Sequence, residues 1–198
     1  MDVHPVADDP THQPDLIIPG LYLSDLHTAQ DPTVATSFGI THIVSVLDFH
    51  PSFPHEMRHI KKMHVRLSDN FREKIIPHLD ETTAFIQEAL KDPESKVLVH
   101  CVMGISRSAT VVSAYLIARD AMTAPEAIDF IRERRPIICP NIGFRRQLDE
   151  YAVKLHGETK RGPVMQVKPS EVPKNIRGVR LWMRGVINKK KEIDSVAS

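Results

Sequence analysis

Nine residues, His100-Cys101-Val102-Met103-Gly104-Ile105-Ser106-Arg107-Ser108, constrain this chain more than any other stretch. Ahead of them Lys96-Val97-Leu98-Val99 is a short apolar run of the kind that forms a buried strand, and behind them Ala109 to Arg119 reads as a helix. A loop pinned between those elements delivers its backbone amides to a helix N-terminus. The first N–H groups there lack intrahelical partners and the dipole end is positive, so the cup binds anions. Cys101 lies at its base. A free thiol has a pKa of about 8.5, and a helix N-terminus beside an arginine can bring it to about 3.5–7.5, so the spacing predicts a thiolate at neutral pH. Arg107, six residues on, carries a planar fork that matches two phosphate oxygens. A sulfur nucleophile, the amides of Val102, Met103, Gly104, Ile105 and Ser106, and a bidentate cation together describe phosphoryl transfer to sulfur.

His100-Cys101, five residues, then Arg107-Ser108 resembles the signature loop of the cysteine-dependent protein tyrosine phosphatases. Gly104 and the Ser106-Arg107-Ser108 ending make it most similar to the dual-specificity branch. Ile18-Pro19-Gly20-Leu21-Tyr22-Leu23-Ser24 is similar to the opening of many such domains. Met103 departs from the alanine that many of these loops carry, but it is uncharged and leaves the phosphate chemistry intact. The resemblance covers about Asp15 to Leu155. It implies the α/β protein tyrosine phosphatase-like fold, phosphoprotein substrates, and hydrolysis through a phosphocysteine with neither metal nor cofactor.

The rest of the chain agrees with that class. Alternation of apolar strands and helical patterns predicts a largely parallel central sheet flanked by helices, with the site at the carboxyl ends of the strands. Leu16-Ile17-Ile18 and Leu21-Tyr22-Leu23 read as strands about a Pro19-Gly20 turn, Ile40 to Leu47 and Ile60 to Leu67 as further strands. Asp25 to Phe38 reads as helical with Asp31 as a cap before Pro32, and Leu79 to Leu90 as a helix with one apolar face. Thr123-Ala124-Pro125-Glu126 is a capping box that starts a helix to about Arg135, and Asn141 caps the last helix. Residues 1–14, rich in Pro, Asp and His, read as a disordered arm, 15–156 as the catalytic domain, and 157–198 as a basic tail.

Charge separates body from tail. Residues 157–198 carry 10 Lys and Arg against 4 Asp and Glu, and residues 1–156 carry 16 against 21. Nucleic acid is therefore not expected as a partner of the body. Helical spacing over 175–191 would separate Ile176, Val179, Met183, Val186 and Ile187 from Arg177, Arg180, Arg184 and Lys191, a pattern suited to an acidic partner or an anionic membrane surface. Gly178 and Gly185 weaken such a helix by about 1 kcal/mol each, so a solvated or packed tail competes with that reading. Two cysteines are too few for a disulfide framework, and a thiolate needs a reducing compartment, so cytoplasm or nucleus is expected. Cys139 is expected to be buried and structural rather than a redox partner of Cys101.

A sulfur nucleophile that displaces an alkoxide or phenoxide requires a general acid on a neighbouring loop. Asp69, directly after a predicted strand, fits that place and agrees with where the family carries its acid; Asp48 also follows a strand and is the alternative. Ser108 can donate to the departing Cys101 sulfur or serve as a helix cap. His100 supports the loop, and Asn141 lies where the family places a polar residue against the signature loop. The loop between Cys101 and Arg107 holds no lysine, unlike the basic loops of inositide-directed relatives, which favours proteins over lipid or RNA-end phosphates. No segment resembles the loop that deepens the pocket of the tyrosine-specific branch, so phosphoserine and phosphothreonine are expected beside phosphotyrosine. A phosphate-binding pseudophosphatase or scaffold is the alternative from another class.

Overall fold

A strand buried on both faces reads as a nearly continuous apolar run, and β3 (His42–Leu47) and β5 (Val97–His100) are buried at every residue, their polar exceptions being His42, Ser45 and His100. The structure, a computed structural model, describes residues 13–157. Five strands form one sheet in the order β1-β2-β5-β3-β4, adding β1 (Asp15–Ile18), β2 (Leu21–Ser24) and β4 (Lys61–Arg66). Only β1 and β2 run antiparallel; β2, β5, β3 and β4 are parallel, with Ser24, His100 and Ser45 level with one another. That register sets the bases of the catalytic-face loops side by side.

Period-two alternation sorts the strand residues between two cores. Val44, Val46, Val97 and Val99 point into the larger one, built with α3 (Ile76–Ala89), α4 (Arg107–Asp120), α5 (Ala124–Arg132) and α6 (Ile142–His156). Ile43 and Leu98 point the other way, into a smaller cluster with Ala29 of α1 (Leu26–Gln30), Ala35 of α2 (Pro32–Ser37) and Met57 of a single 3-10 turn at His55–Met57. Helices therefore cover both faces. The axis of the larger layer is α4, in which every residue from Arg107 to Ile117 is buried. Its interior hydroxyls return to the helix's own carbonyls, Thr110 to Ser106 O at 2.8 Å and Ser113 to Ala109 O at 2.8 Å, so burial leaves neither unpaired.

Of the boundaries that differ from the sequence reading, three helix starts have a clear local reason. The helix expected over 25–38 is two helices, because Asp31 takes the Thr33 and Val34 amides on its side chain and starts α2 at Pro32. Next, α3 begins at Ile76 rather than Leu79, with Pro77 in its first turn and the amides of Ile75 and Ile76 met by the Gln147 side chain. The third difference has functional weight: α4 begins at Arg107, so Arg107 and Ser108 are its first-turn residues. The expected capping box is present in both halves on Thr123 and Glu126, although α5 stops at Arg132. Of the arm expected over 1–14, Gln13 and Pro14 are described and Pro14 is buried; the rest of the arm and the 175–191 helix lie outside the described residues.

Candidate active site

Cys101 follows the last residue of β5 and is buried. Its sulfur accepts the Gly104 amide at 3.2 Å and the Ser108 hydroxyl at 3.2 Å. Burial pushes the thiol up, but the Ser108 hydroxyl, the amides of Ser108 and Ile105, and the Arg107 charge outweigh it. The net effect holds Cys101 below the ordinary thiol value. Ser108 acts inside the first turn and not as the cap; the cap position belongs to Ser106, whose side chain makes no capping bond.

The loop amides face inward because the loop carbonyls are taken from outside. Val102 O accepts the Leu26 amide at 3.1 Å, Ile105 O the Cys139 amide at 2.9 Å, and Ser106 O the Thr110 amide at 2.9 Å. Met103 O and Gly104 O accept the buried guanidinium of Arg135 at 3.3 and 2.9 Å, and Arg135 is anchored in turn on Asp15 at 2.6 Å. A tight turn with its carbonyls fixed outward presents its N–H groups to the interior, an anion nest. Gly104 is required there: its φ is +66°, and a Cβ would meet Ser24 O and the Arg135 guanidinium at 2.6 Å.

Arg107 closes the cup. Its Nη1 donates to Leu67 O at 3.2 Å, while its buried Nε makes no hydrogen bond. A buried guanidinium N–H without an acceptor is costly, and a phosphoryl oxygen is the acceptor its fork fits. Two carboxylates flank the guanidinium, Asp48 at 3.7 Å from Nη1 and Asp69 at 3.8 Å from Nε.

The two candidate acids are held differently. Asp69 Oδ1 accepts the Ser106 hydroxyl at 2.7 Å and the Asn141 side-chain amide at 2.8 Å, whereas the Asp48 side chain is 54% exposed and lies 3.7 Å from Arg107 Nη1. Asn141 serves as both cap and site contact. Its Oδ1 takes the Phe144 amide at 2.9 Å, its Nδ2 holds Asp69, and its own amide donates to Ser106 Oγ at 3.1 Å. The Asp69 loop also rests on α6 through its backbone. Gln147 Nε2 donates to Glu73 O at 2.8 Å, and a Cβ on Gly143 would lie 1.9 Å from Phe71 O.

His100 is fully buried, and desolvation holds it down to about 4, against weaker opposing effects of the Cys101 carbonyl and Asp25. It is neutral at physiological pH. Because a carbonyl can only accept, Nδ1 carries the proton toward Cys101 O at 3.2 Å, and Nε2 accepts the Ser45 hydroxyl at 2.7 Å. Cys139 corrects the sequence reading: it is exposed, with its sulfur accepting from Arg145 at 3.1 Å, while its backbone braces the loop.

Thus Cys101, the loop from Val102 to Ser106, Arg107, Ser108, Asp69, His100 and Asn141 all converge on one place. Sequence reasoning missed the Ser106 hydroxyl as a partner of Asp69, and it missed Arg135, Gln147, Gly143 and Ser45. Arg135 stands in Arg132-Glu133-Arg134-Arg135, which reads as a solvated charged run, and the other three carry no motif.

Comparison with known proteins gives a consistent neighbourhood. Residues 21–154 match the family described as dual specificity phosphatase, catalytic domain. Dual specificity protein phosphatase 1 of Arabidopsis thaliana is 38% identical over 69% of this chain and 68% of its own. Human dual specificity protein phosphatase 16 is 36% identical over 78% of this chain but only 23% of its own, and this chain spans about a fifth of the length of several such curated relatives. Among solved structures, the human tyrosine phosphatase-like serine/threonine/tyrosine-interacting protein is similar with a TM-score of 0.67 and 34% identity, over 72% of this chain and 97% of that one.

Proposed function

This chain belongs to the dual-specificity phosphatase family, and on that footing we propose that it hydrolyses phosphotyrosine and phosphoserine or phosphothreonine in proteins through a phosphocysteine intermediate. One observation carries the reading: a thiol of lowered pKa at the base of a loop whose carbonyls all bond outward, beside a buried arginine N–H with no acceptor.

The chemistry takes two displacements. The Cys101 thiolate attacks phosphorus, the S–P bond forms and the P–O bond to the substrate breaks, while the inward amides and Arg107 hold the non-bridging oxygens. Asp69 acts as the general acid and gives a proton to the departing oxygen. Water then attacks phosphorus, its proton passes to the Asp69 carboxylate, and the S–P bond breaks to release inorganic phosphate. Ser108 stabilises the sulfur as it leaves, the same bond that lowers the resting thiol. A thiolate of this kind requires a reducing compartment, which makes cytoplasm or nucleus the setting that we propose.

A second reading is a phosphate receptor without turnover. The name of the similar human structure, tyrosine phosphatase-like and interacting, favours it; intact Cys101, Arg107 and Asp69 oppose it. Turnover of aryl phosphates by wild type and Asp69→Asn separates the roles. The variant is expected to lose about 100-fold on a poor leaving group and little on an activated one. Equal loss on both would remove Asp69 from the acid role, and no wild-type turnover with retained phosphopeptide binding would leave the receptor.

A further inference from the structure

Among the described residues eight large apolar side chains are exposed, and five of them, Phe49, Phe71, Met103, Ile137 and Ile142, each 46–61% exposed, fall at positions in or next to the segments that form the cup. Each is one or two positions from a residue that touches the loop or its arginine, or lies in the loop itself. Phe49 follows Asp48, and Phe71 lies two after Asp69. Ile137 stands between Arg135 and Cys139, which hold loop carbonyls, and Ile142 follows Asn141. The Phe71 backbone packs on Gly143, so the Phe71 and Ile142 positions adjoin. Isolated exposed apolar residues need no explanation, but a set gathered round one anion site does.

Charge around the cup narrows what covers this rim. The cup's own cation, Arg107, is buried and faces Asp48 and Asp69, and Arg135 behind it is paired with Asp15. Asp48 and Asp69 stand beside the Arg107 guanidinium and repel acidic neighbours of a phosphorylated residue, while Arg145 is held farther out on Pro140 O and Cys139 Sγ. Arg72, 5.3 Å over the Phe71 ring, is a cation at the outer edge. Resting on the phosphatase reading above, we infer that the rim selects phosphopeptides with apolar residues flanking the phosphorylated residue and disfavours acidic flanks. The occupant is a segment of a phosphoprotein, because the rim is continuous with the cup that takes its phosphoryl group.

The test uses the full chain and phosphotyrosine peptides identical except at the two residues on either side, which are Leu, Ser or Asp. An aryl phosphate without flanks is the control. Both kcat/KM and Kd by fluorescence anisotropy are measured, for wild type and for the double variant Phe71→Gln/Ile142→Gln. Wild type is expected to prefer Leu flanks over Asp flanks by about tenfold, and the double variant by under about threefold, with aryl phosphate turnover unchanged. A preference for Asp flanks, or a wild-type ratio that survives in the variant, overturns the proposal. If wild type does not turn over the aryl phosphate, the phosphatase reading fails while the Kd ratio still decides the rim. Sedimentation with phosphatidylcholine–phosphatidylserine vesicles that the double variant abolishes, with the peptide ratio unmoved, would make the rim a membrane contact instead.

Discussion

Gly143→Ala should disconnect acid delivery from the rest of the site. Its Cβ would lie 1.9 Å from Phe71 O and 2.6 Å from the Phe71 carbonyl carbon, both backbone atoms. Restoring ordinary contact requires that carbonyl to retreat by about 1.5 Å, and Asp69 is two residues upstream on the same loop. Misplacement of a catalytic group by about 1 Å can cost about 100-fold, within the 10²–10⁴ that a general acid contributes. Gly143 lies in the first turn of α6, where alanine gains less over glycine than in a helix interior, while forcing two backbones apart costs about 1–3 kcal/mol, so a net loss should appear in the thermal midpoint. The informative assay is kcat across aryl phosphates whose leaving phenols differ in acidity. The variant should lose about 100-fold on the least acidic phenol and under about threefold on the most acidic, steepening the dependence on leaving group. A uniform loss would mean that the cup itself was damaged. Unchanged rates would mean that α6 does not position the acid, and either result refutes this reasoning.

Three further expectations rest on other contacts. Ser108→Ala removes a hydroxyl donor to the Cys101 sulfur, so Cys101 should titrate higher than in wild type; activity on an activated aryl phosphate should fall more at the acid end of the pH profile than at the alkaline end. His100 is neutral in the fold with a pKa of about 4 but would take a proton near 6.5 when unfolded, so its contribution to stability is complete above about pH 6.5 and is lost as pH falls toward 4. That loss amounts to about 3 kcal/mol, and urea midpoints against pH should be flatter over that window for His100→Asn than for wild type. Arg135→Met removes the donors to Met103 O and Gly104 O and leaves Asp15 unpaired. Because Asp15 is partly exposed, a loss of about 2 kcal/mol in urea unfolding is expected together with a fall in kcat; full activity at lowered stability would show that the loop keeps its shape without the clamp.

Much of this architecture is legible in the sequence because its strongest signals are local. Lys96 to Val99, the Cys101 loop and α4 announce themselves through apolar runs and the Cys101-to-Arg107 spacing, and Thr123, Asp31 and Asn141 act as the caps their chemistry suggests. What stayed hidden depends on distant pairings. Arg135 meets the loop from 31 residues away and Gln147 meets the acid loop from more than 70, and neither side chain differs in type from a solvated neighbour. The dual use of Asn141 was half legible, since helix periodicity reveals the cap but not the carboxylate that the fold delivers to its amide. Cys139 was misread because hydrophobicity averages favour burial of free thiols, whereas here the Pro136–Pro140 loop holds its backbone inward to Ile105 and its sulfur outward.

The central claim is that phosphoryl transfer passes through the Cys101 sulfur, and the most direct measurement is rapid quenching of the full chain mixed with an activated aryl phosphate, followed by mapping of any protein-bound phosphoryl group by mass spectrometry. A phosphoryl group on Cys101 that forms within one turnover, persists longer in Ser108→Ala and is absent in Cys101→Ser is the predicted result. Turnover with no protein-bound phosphoryl group at any time, or a Cys101→Ser variant that retains wild-type activity, would contradict it.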